Sequence, residues 1–238
     1  MTAEISQDRK GAIVIGCEGY VGENLIQQLS AHRAYGTIYA VVMQKKKIEL
    51  PKVKSFYSDI EHIRFEKFKA NDLFICYDAS FFNSGGKYSI PEKQYRFLPK
   101  MIKRAYESKI GQVMLLSNKR TSSDALMPVN RTRGLIEEFV IQTGFWSTHV
   151  FKPSLLLGES LNQKWGQEWA EKIGDKINSV TGDWLKKNKP IEAEVVARAM
   201  IYAAQKLESG VHFYSSAWLQ DYADGKMENR DIRKEDRK

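Results

Sequence analysis

The stretch AIVIGCEGYVGENLIQQL (residues 12–29) places Gly16, Gly19 and Gly22 at G-x-x-G-x-x-G spacing behind an apolar run and ahead of a helical pattern. Glycines so placed suit phosphate binding. The first permits a tight turn, the second lets the backbone approach a pyrophosphate, and the third lets the helix sit close to the strand. The backbone of Tyr20 and Val21, opening the helix, adds N–H groups and a partial positive charge for the same anion. Glu18 is the awkward residue, because a carboxylate in the turn repels a phosphate unless it points outward. Downstream, Gln44, Lys45, Lys46 and Lys47 follow the next strand-like run, with no acid among them. An acid at that point would accept from adenosine ribose hydroxyls, whereas cations accommodate a 2′-phosphate. The expected ligand is therefore NADP rather than NAD.

The elements that must position these residues alternate along the chain. Residues 11–17, 37–43, 53–57, 72–78, 112–117 and 147–153 read as six strands, and VHFYSS as a short last one. Helical patterns fill residues 20–32, 60–69 (weakly), 91–108, 128–142 and 191–207. This alternation predicts an α/β, Rossmann-like doubly wound parallel sheet with helices on both faces and a small C-terminal helical region. Residues 1–220 are expected to form one domain. Residues 221–238 carry six acids and six bases and read as a charged tail that does not fold alone. Trp165, Trp169, Ile173, Ile177, Val180 and Trp184 form a helical stripe suited to packing or a lid.

Composition narrows the function. No apolar stretch is long enough to cross a membrane, and the opening MTAEISQDRKG lacks an apolar leader. Cys17 and Cys76 end apolar runs and read as core residues, and with four scattered histidines they offer no metal-ligand spacing. The expectation is a cytoplasmic protein with no metal. The net charge of +8 resides in the body, because the tail cancels internally. Without a nucleic-acid module, that charge reads as a solvated surface rather than a DNA or RNA site.

With these motifs in view, the chain resembles the atypical short-chain dehydrogenase/reductases, in particular the group containing the human Tat-interacting tumour-suppressor oxidoreductase. The resemblance spans roughly residues 12–204 and rests on GCEGYVG, Asp59, DLFICYDAS, QVMLLSNK, FKPSLLLGE and the VVARAM helix. It implies a groove lined by Gly16, Gly19, Gly22, Lys45, Lys46, Asp59, Ile60, Tyr77, Asp78, Ala79 and Pro153. Asp59 would accept from the adenine amino group, and backbone near Tyr77 would border the ribose. Tyr77, Phe81, Phe82 and Tyr88 could wall a substrate pocket or simply pack on the sheet edge.

The family's reaction uses a Tyr proton donor, a Lys four residues later, and a Ser ending the fifth strand. Ser117 stands at the Ser position, with Ser122 and Ser123 nearby. The Tyr-x-x-x-Lys position reads MPVNR, so Met127 replaces the Tyr and Arg131 the Lys. A thioether donates no proton, and an arginine holds phosphate or ribose without titrating. The expectation is a NADP(H)-binding protein with weak or absent oxidoreductase activity and a regulatory or binding role, engaging a protein partner or a second copy. The alternative is an active NADPH-dependent oxidoreductase acting on a small carbonyl or quinone.

Overall fold

The computed structural model describes residues 9–42, 47–57, 63–76, 98–154, 156–157 and 189–226. In chain order the elements are β1 (Lys10–Ile15), α1 (Tyr20–Ala31), β2 (Tyr35–Val42), β3 (Val53–Tyr57), β4 (Asp72–Ile75), α2 (Leu98–Glu107), β5 (Gln112–Leu116) and α3 (Pro128–Thr143). There follow β6 (Ser147–Lys152), β7 (Leu156–Leu157), β8 (Ile191–Glu192), α4 (Ala193–Lys206), β9 (Gly210–Ser215) and α5 (Ser216–Ala223).

Seven strands pair in the order β3-β2-β1-β4-β5-β6-β9, every pair parallel. The order reverses between β1 and β4, and that reversal opens a crevice at the carboxyl ends of the two strands. Alternation along β1 explains why both faces are covered. Ala12 and Val14 join a core with Val21 and Leu25 of α1, Val196 and Met200 of α4 and Leu219 of α5. Ile13 and Ile15 point the other way, into a core with Met101 and Ile102 of α2 and Ile136 and Val140 of α3. Successive side chains of a strand face opposite ways, so a strand buried on both faces must be apolar throughout.

The amino ends of the strands are tied by a buried polar network. Asp72 accepts from the Tyr35 hydroxyl at 2.6 Å, from Gln112 Nε2 at 2.9 Å and from Lys10 Nζ at 3.3 Å. Lys10 also reaches the carbonyl of Ala204 at the end of α4, at 2.9 Å. Burial raises the Asp72 pKa against the pull of Lys10.

The parallel sheet matches the sequence reading, and several boundaries differ for local reasons. β1 stops at Ile15 because Gly16 turns to φ 80°. The expected weak helix at 60–69 shows, in its described part, only a single 3-10 turn at Phe65–Lys67, pinned by buried Phe65. The helix expected from residue 191 starts at Ala193, because Ile191 and Glu192 pair with Leu156 and Leu157. The expected boundary between body and tail at residue 220 falls inside α5, whose amino end is capped by Ser215 Oγ accepting from Trp218 N–H. The tryptophan stripe and the aromatic loop at 81–88 lie outside the described residues.

Candidate functional site

The glycine turn sits at the point where the strand order reverses. Leaving β1, Gly16 adopts φ 80°, and the Gly19 N–H returns to the Gly16 carbonyl at 3.3 Å. Gly19 then caps α1 and contributes no side-chain oxygen to its first turn. The opening of α1 thus presents the positive end of its dipole to the crevice without a competing side-chain acceptor from its cap. Gly22 is buried, and a Cβ built there would lie 2.0 Å from the Gly16 carbonyl oxygen and 2.7 Å from Cys17 Cα. Helix and turn therefore touch backbone to backbone, which only glycine permits. Cys17 is a core residue whose Sγ donates to the Val41 carbonyl at 3.2 Å.

Beside the turn lies a cavity of about 320 Å³ lined by Glu18, Glu23, Gln27, Val42, Lys47 and Glu49, among others. Lys47 pairs with Glu49 at 3.4 Å, both largely exposed. The cavity is thus more acidic than the lysine run alone suggests. Lys45, Lys46, Asp59, Ile60, Tyr77, Asp78 and Ala79 lie outside the described residues.

A second group of polar side chains gathers where β5 and β6 end. Ser117, buried, follows β5, and its N–H donates to the Phe151 carbonyl at 2.8 Å. Its Oγ donates to the Glu137 carboxylate and lies 3.2 Å from Thr121 Oγ1. The second oxygen of Glu137, on α3, accepts from Lys152 Nζ at 2.7 Å. A buried carboxylate thus links the serine, the helix and the last residue of β6. The hydroxyl proton of Ser117 is held by Glu137 and does not point at a bound carbonyl in this arrangement. Pro153 is buried next to this group, and its carbonyl accepts from Lys119 N–H at 3.0 Å.

Ser117 and the Met127/Arg131 pair are not brought together. Met127 is the cap of α3 and 62% exposed, and exposed Arg131 donates from Nε to the Ala125 carbonyl at 3.0 Å. The cation that shares a small cavity with Ser117 is Arg133, buried among Leu98, Leu116 and Ile136. Four residues after Arg133 on the same helix stands Glu137, one turn on. Met127 and Arg131, the pair expected from sequence, lie at exposed positions, and Arg133 and Glu137 at buried ones. Gly134 was the available signal: a Cβ there would lie 2.2 Å from the Ser122 carbonyl carbon, so it fixes α3 against the preceding loop.

His149, buried in β6, is structural. Its ring contacts Ser147 Oγ at 2.8 Å and the Tyr214 hydroxyl at 2.9 Å, and it stacks on His212. Burial, with smaller contributions from His212 and Lys10, pushes its pKa down to about 4. No cluster of metal-ligating side chains exists among the described residues, and no described helix is long and apolar enough to cross a membrane.

No family model matches the chain. Among curated proteins it is 26% identical over 152 residues to the mitochondrial protein FMP52 of Meyerozyma guilliermondii, a match covering 62% of this chain and 66%, just under two thirds, of the relative. It is 26% identical over 215 residues to the mitochondrial FMP52 of Candida glabrata, covering 82% of this chain and 85% of that one. Similar proteins from Aspergillus terreus and Lodderomyces elongisporus are also named mitochondrial. These names overturn the cytoplasmic expectation, which rested on the absence of an apolar leader. Among solved structures, MoeE5 in complex with UDP-glucose and NAD aligns with TM-score 0.58 and 12% identity over 86% of this chain and 74% of that one. The Bordetella bronchiseptica enzyme WbmG in complex with NAD aligns with TM-score 0.58 and 12% identity over 90% and 74%. At such identity the likeness is one of fold, a Rossmann-like α/β scaffold.

Proposed function

We propose that the chain binds NADP(H) across the β1–β4 crevice and is an atypical short-chain dehydrogenase/reductase-like protein with weak or absent oxidoreductase activity. The observation that carries this reading is the backbone contact of Gly22 with the Gly16 carbonyl beneath a glycine-capped helix, a cradle that any side chain would fill. Gly16, Gly19, Tyr20, Val21 and Gly22 would hold the pyrophosphate through their backbone, and Pro153 would border the nicotinamide. Lys45 and Lys46 favour the 2′-phosphate of NADP over NAD. When bound, the nicotinamide ring would supply or accept a hydride.

The chain's own residues explain why turnover would be slow. Arg133 shares the small cavity with Ser117, and a guanidinium does not deliver a proton. The Ser117 hydroxyl is engaged by Glu137. General acid catalysis contributes about 10²–10⁴-fold, so a protein without it retains binding and loses most of the rate. The same FMP52 relatives support a mitochondrial location.

The test is NADPH consumption by the full chain with a small quinone and a small aldehyde. The expected result is consumption near background for the natural sequence. Met127→Tyr with Arg131→Lys, which alters exposed positions, should leave the rate unchanged. Rapid turnover by the natural chain would refute the weak-activity reading in favour of an active NADPH-dependent reductase.

A further inference from the structure

In its described part, the β3–β4 connection covers the sheet with aromatic rings and a single 3-10 turn, where α1, α2 and α3 fill the β1–β2, β4–β5 and β5–β6 connections. Buried Phe65 anchors that turn, and Phe68 follows it onto the sheet. β3 is an edge strand whose register sets Lys54 beside Tyr39 and Phe56 beside Val41. Alternation along β3 puts Lys54 and Phe56 on one face. Tyr39, Phe56 and Phe68 close a triangle of rings: Tyr39 lies 5.8 Å from Phe56 and 4.7 Å from Phe68, and those two lie 4.8 Å apart, between centroids. Each ring is held by the other two, so Phe56 is fixed in place although 37% exposed.

Cations rim this triangle. Lys54, Arg64, Lys67 and Lys69 are exposed, and Lys67 and Lys69 flank Phe68 in the chain. None of the four pairs with an acid among the described residues. Glu66 is the single acid in residues 53–57 and 63–70. Along the sequence these cations read as part of a solvated surface, and only the fold interleaves them with rings.

We infer that this corner binds single-stranded nucleic acid, with bases stacked on Phe56 and Phe68 and phosphates at Lys54, Lys67 and Lys69. An aromatic face accepts any base and ammonium groups follow the backbone, so binding is sequence-tolerant and salt-sensitive. A ring already fixed by its neighbours costs little ordering when a base stacks on it. A duplex keeps its bases stacked on one another and offers this corner phosphates alone. An acidic peptide would satisfy the cations and leave the rings in water. The corner shares no residue with the glycine turn, so the inference does not depend on the coenzyme reading.

The experiment is fluorescence anisotropy of labelled oligouridylate, oligothymidylate and a DNA duplex, each about 20 nucleotides long and so longer than one site, titrated with the full chain. Both single strands should bind, and the duplex about tenfold more weakly. The tighter single strand identifies the preferred sugar. Three phosphate contacts give a logarithmic salt slope of about −2, so raising salt from about 50 mM to about 200 mM should weaken the single strands about 20-fold. Phe56→Leu, which keeps an apolar side chain and loses the ring, should weaken binding about tenfold, while Phe56→Tyr should retain it. Lys54→Ala should make the slope shallower by about 0.7, whereas Arg198→Ala, exposed on α4 across the sheet, should leave it unchanged. Equal losses in Lys54→Ala and Arg198→Ala would assign the binding to overall charge and overturn the inference. Full affinity in Phe56→Leu, equal binding of the duplex, or no binding of either single strand would overturn it too. Capture by phosphatidylglycerol vesicles with no oligonucleotide bound would give the corner to a membrane surface instead.

Discussion

Replacing Gly22 by alanine adds one methyl group at the tightest contact of the glycine turn. The new Cβ would sit 2.0 Å from the Gly16 carbonyl oxygen, where ordinary contact begins at 3.4 Å, so helix and turn must part by about 1.4 Å (3.4 − 2.0). The obstructing atoms are backbone, which cannot swing aside as a long side chain would. Overpacking of this kind costs about 1–3 kcal/mol. Alanine's better helix propensity returns at most about 1 kcal/mol. With the full return the net loss is up to about 2 kcal/mol, or up to about 8 °C in Tm for a chain of this size. The more telling effect is on binding, because the same displacement moves the amides that would hold the pyrophosphate. Thermal unfolding followed by circular dichroism, with and without NADPH, reads both quantities. Glu138→Ala, exposed on α3, is the control and should change neither. A Gly22→Ala chain with unchanged Tm and an undiminished response to NADPH would refute the reasoning.

Glu137→Gln should lower stability by about 1–3 kcal/mol in chemical denaturation, because Lys152 loses its carboxylate partner while keeping partial access to water. Glu137→Leu, which strands both Ser117 and Lys152, should cost more, and equal values would show that the charge is not what matters. Lowering the pH should destabilise the protein through His149, whose imidazole is held at about pKa 4 when folded against an ordinary 6.5. The unfolded chain takes up the proton first, so this contribution is complete above about pH 6.5 and declines towards pH 4, by on the order of 3 kcal/mol in all. Denaturation midpoints at about pH 7.5 and about pH 4.5 should therefore differ less in His149→Gln than in the natural chain, and an equal pH dependence would contradict the assignment.

The strands and the turn were legible because they rest on local rules. Apolar runs such as AIVI and DLFI must be buried on both faces, and glycine spacing follows from backbone contact, so β1, β4 and the opening of α1 lie where sequence puts them. The helix beside Ser117 was harder, because Arg131 and Arg133 look alike by sequence. What separates them is burial: Arg131 reaches a surface carbonyl, and Arg133 lies behind β5. Glu137 was missed for a related reason. A glutamate on an amphipathic helix ordinarily faces water, and only the approach of Lys152 from β6 makes it an interior partner. α5 escaped notice because its last turn begins the charged segment, whereas Ser215 is a sound cap signal in retrospect.

Whether the glycine turn holds a dinucleotide is measured directly by a thermal-shift titration of the full chain with NADPH and with NADH. A ligand at about a hundred times its Kd stabilises the folded state by about 2.7 kcal/mol, which at this size is a rise of about 5–10 °C. The expected result is that rise with NADPH and a smaller one with NADH at equal concentration. Equal rises would remove the role given to Lys45 and Lys46. No rise with either would contradict the central claim.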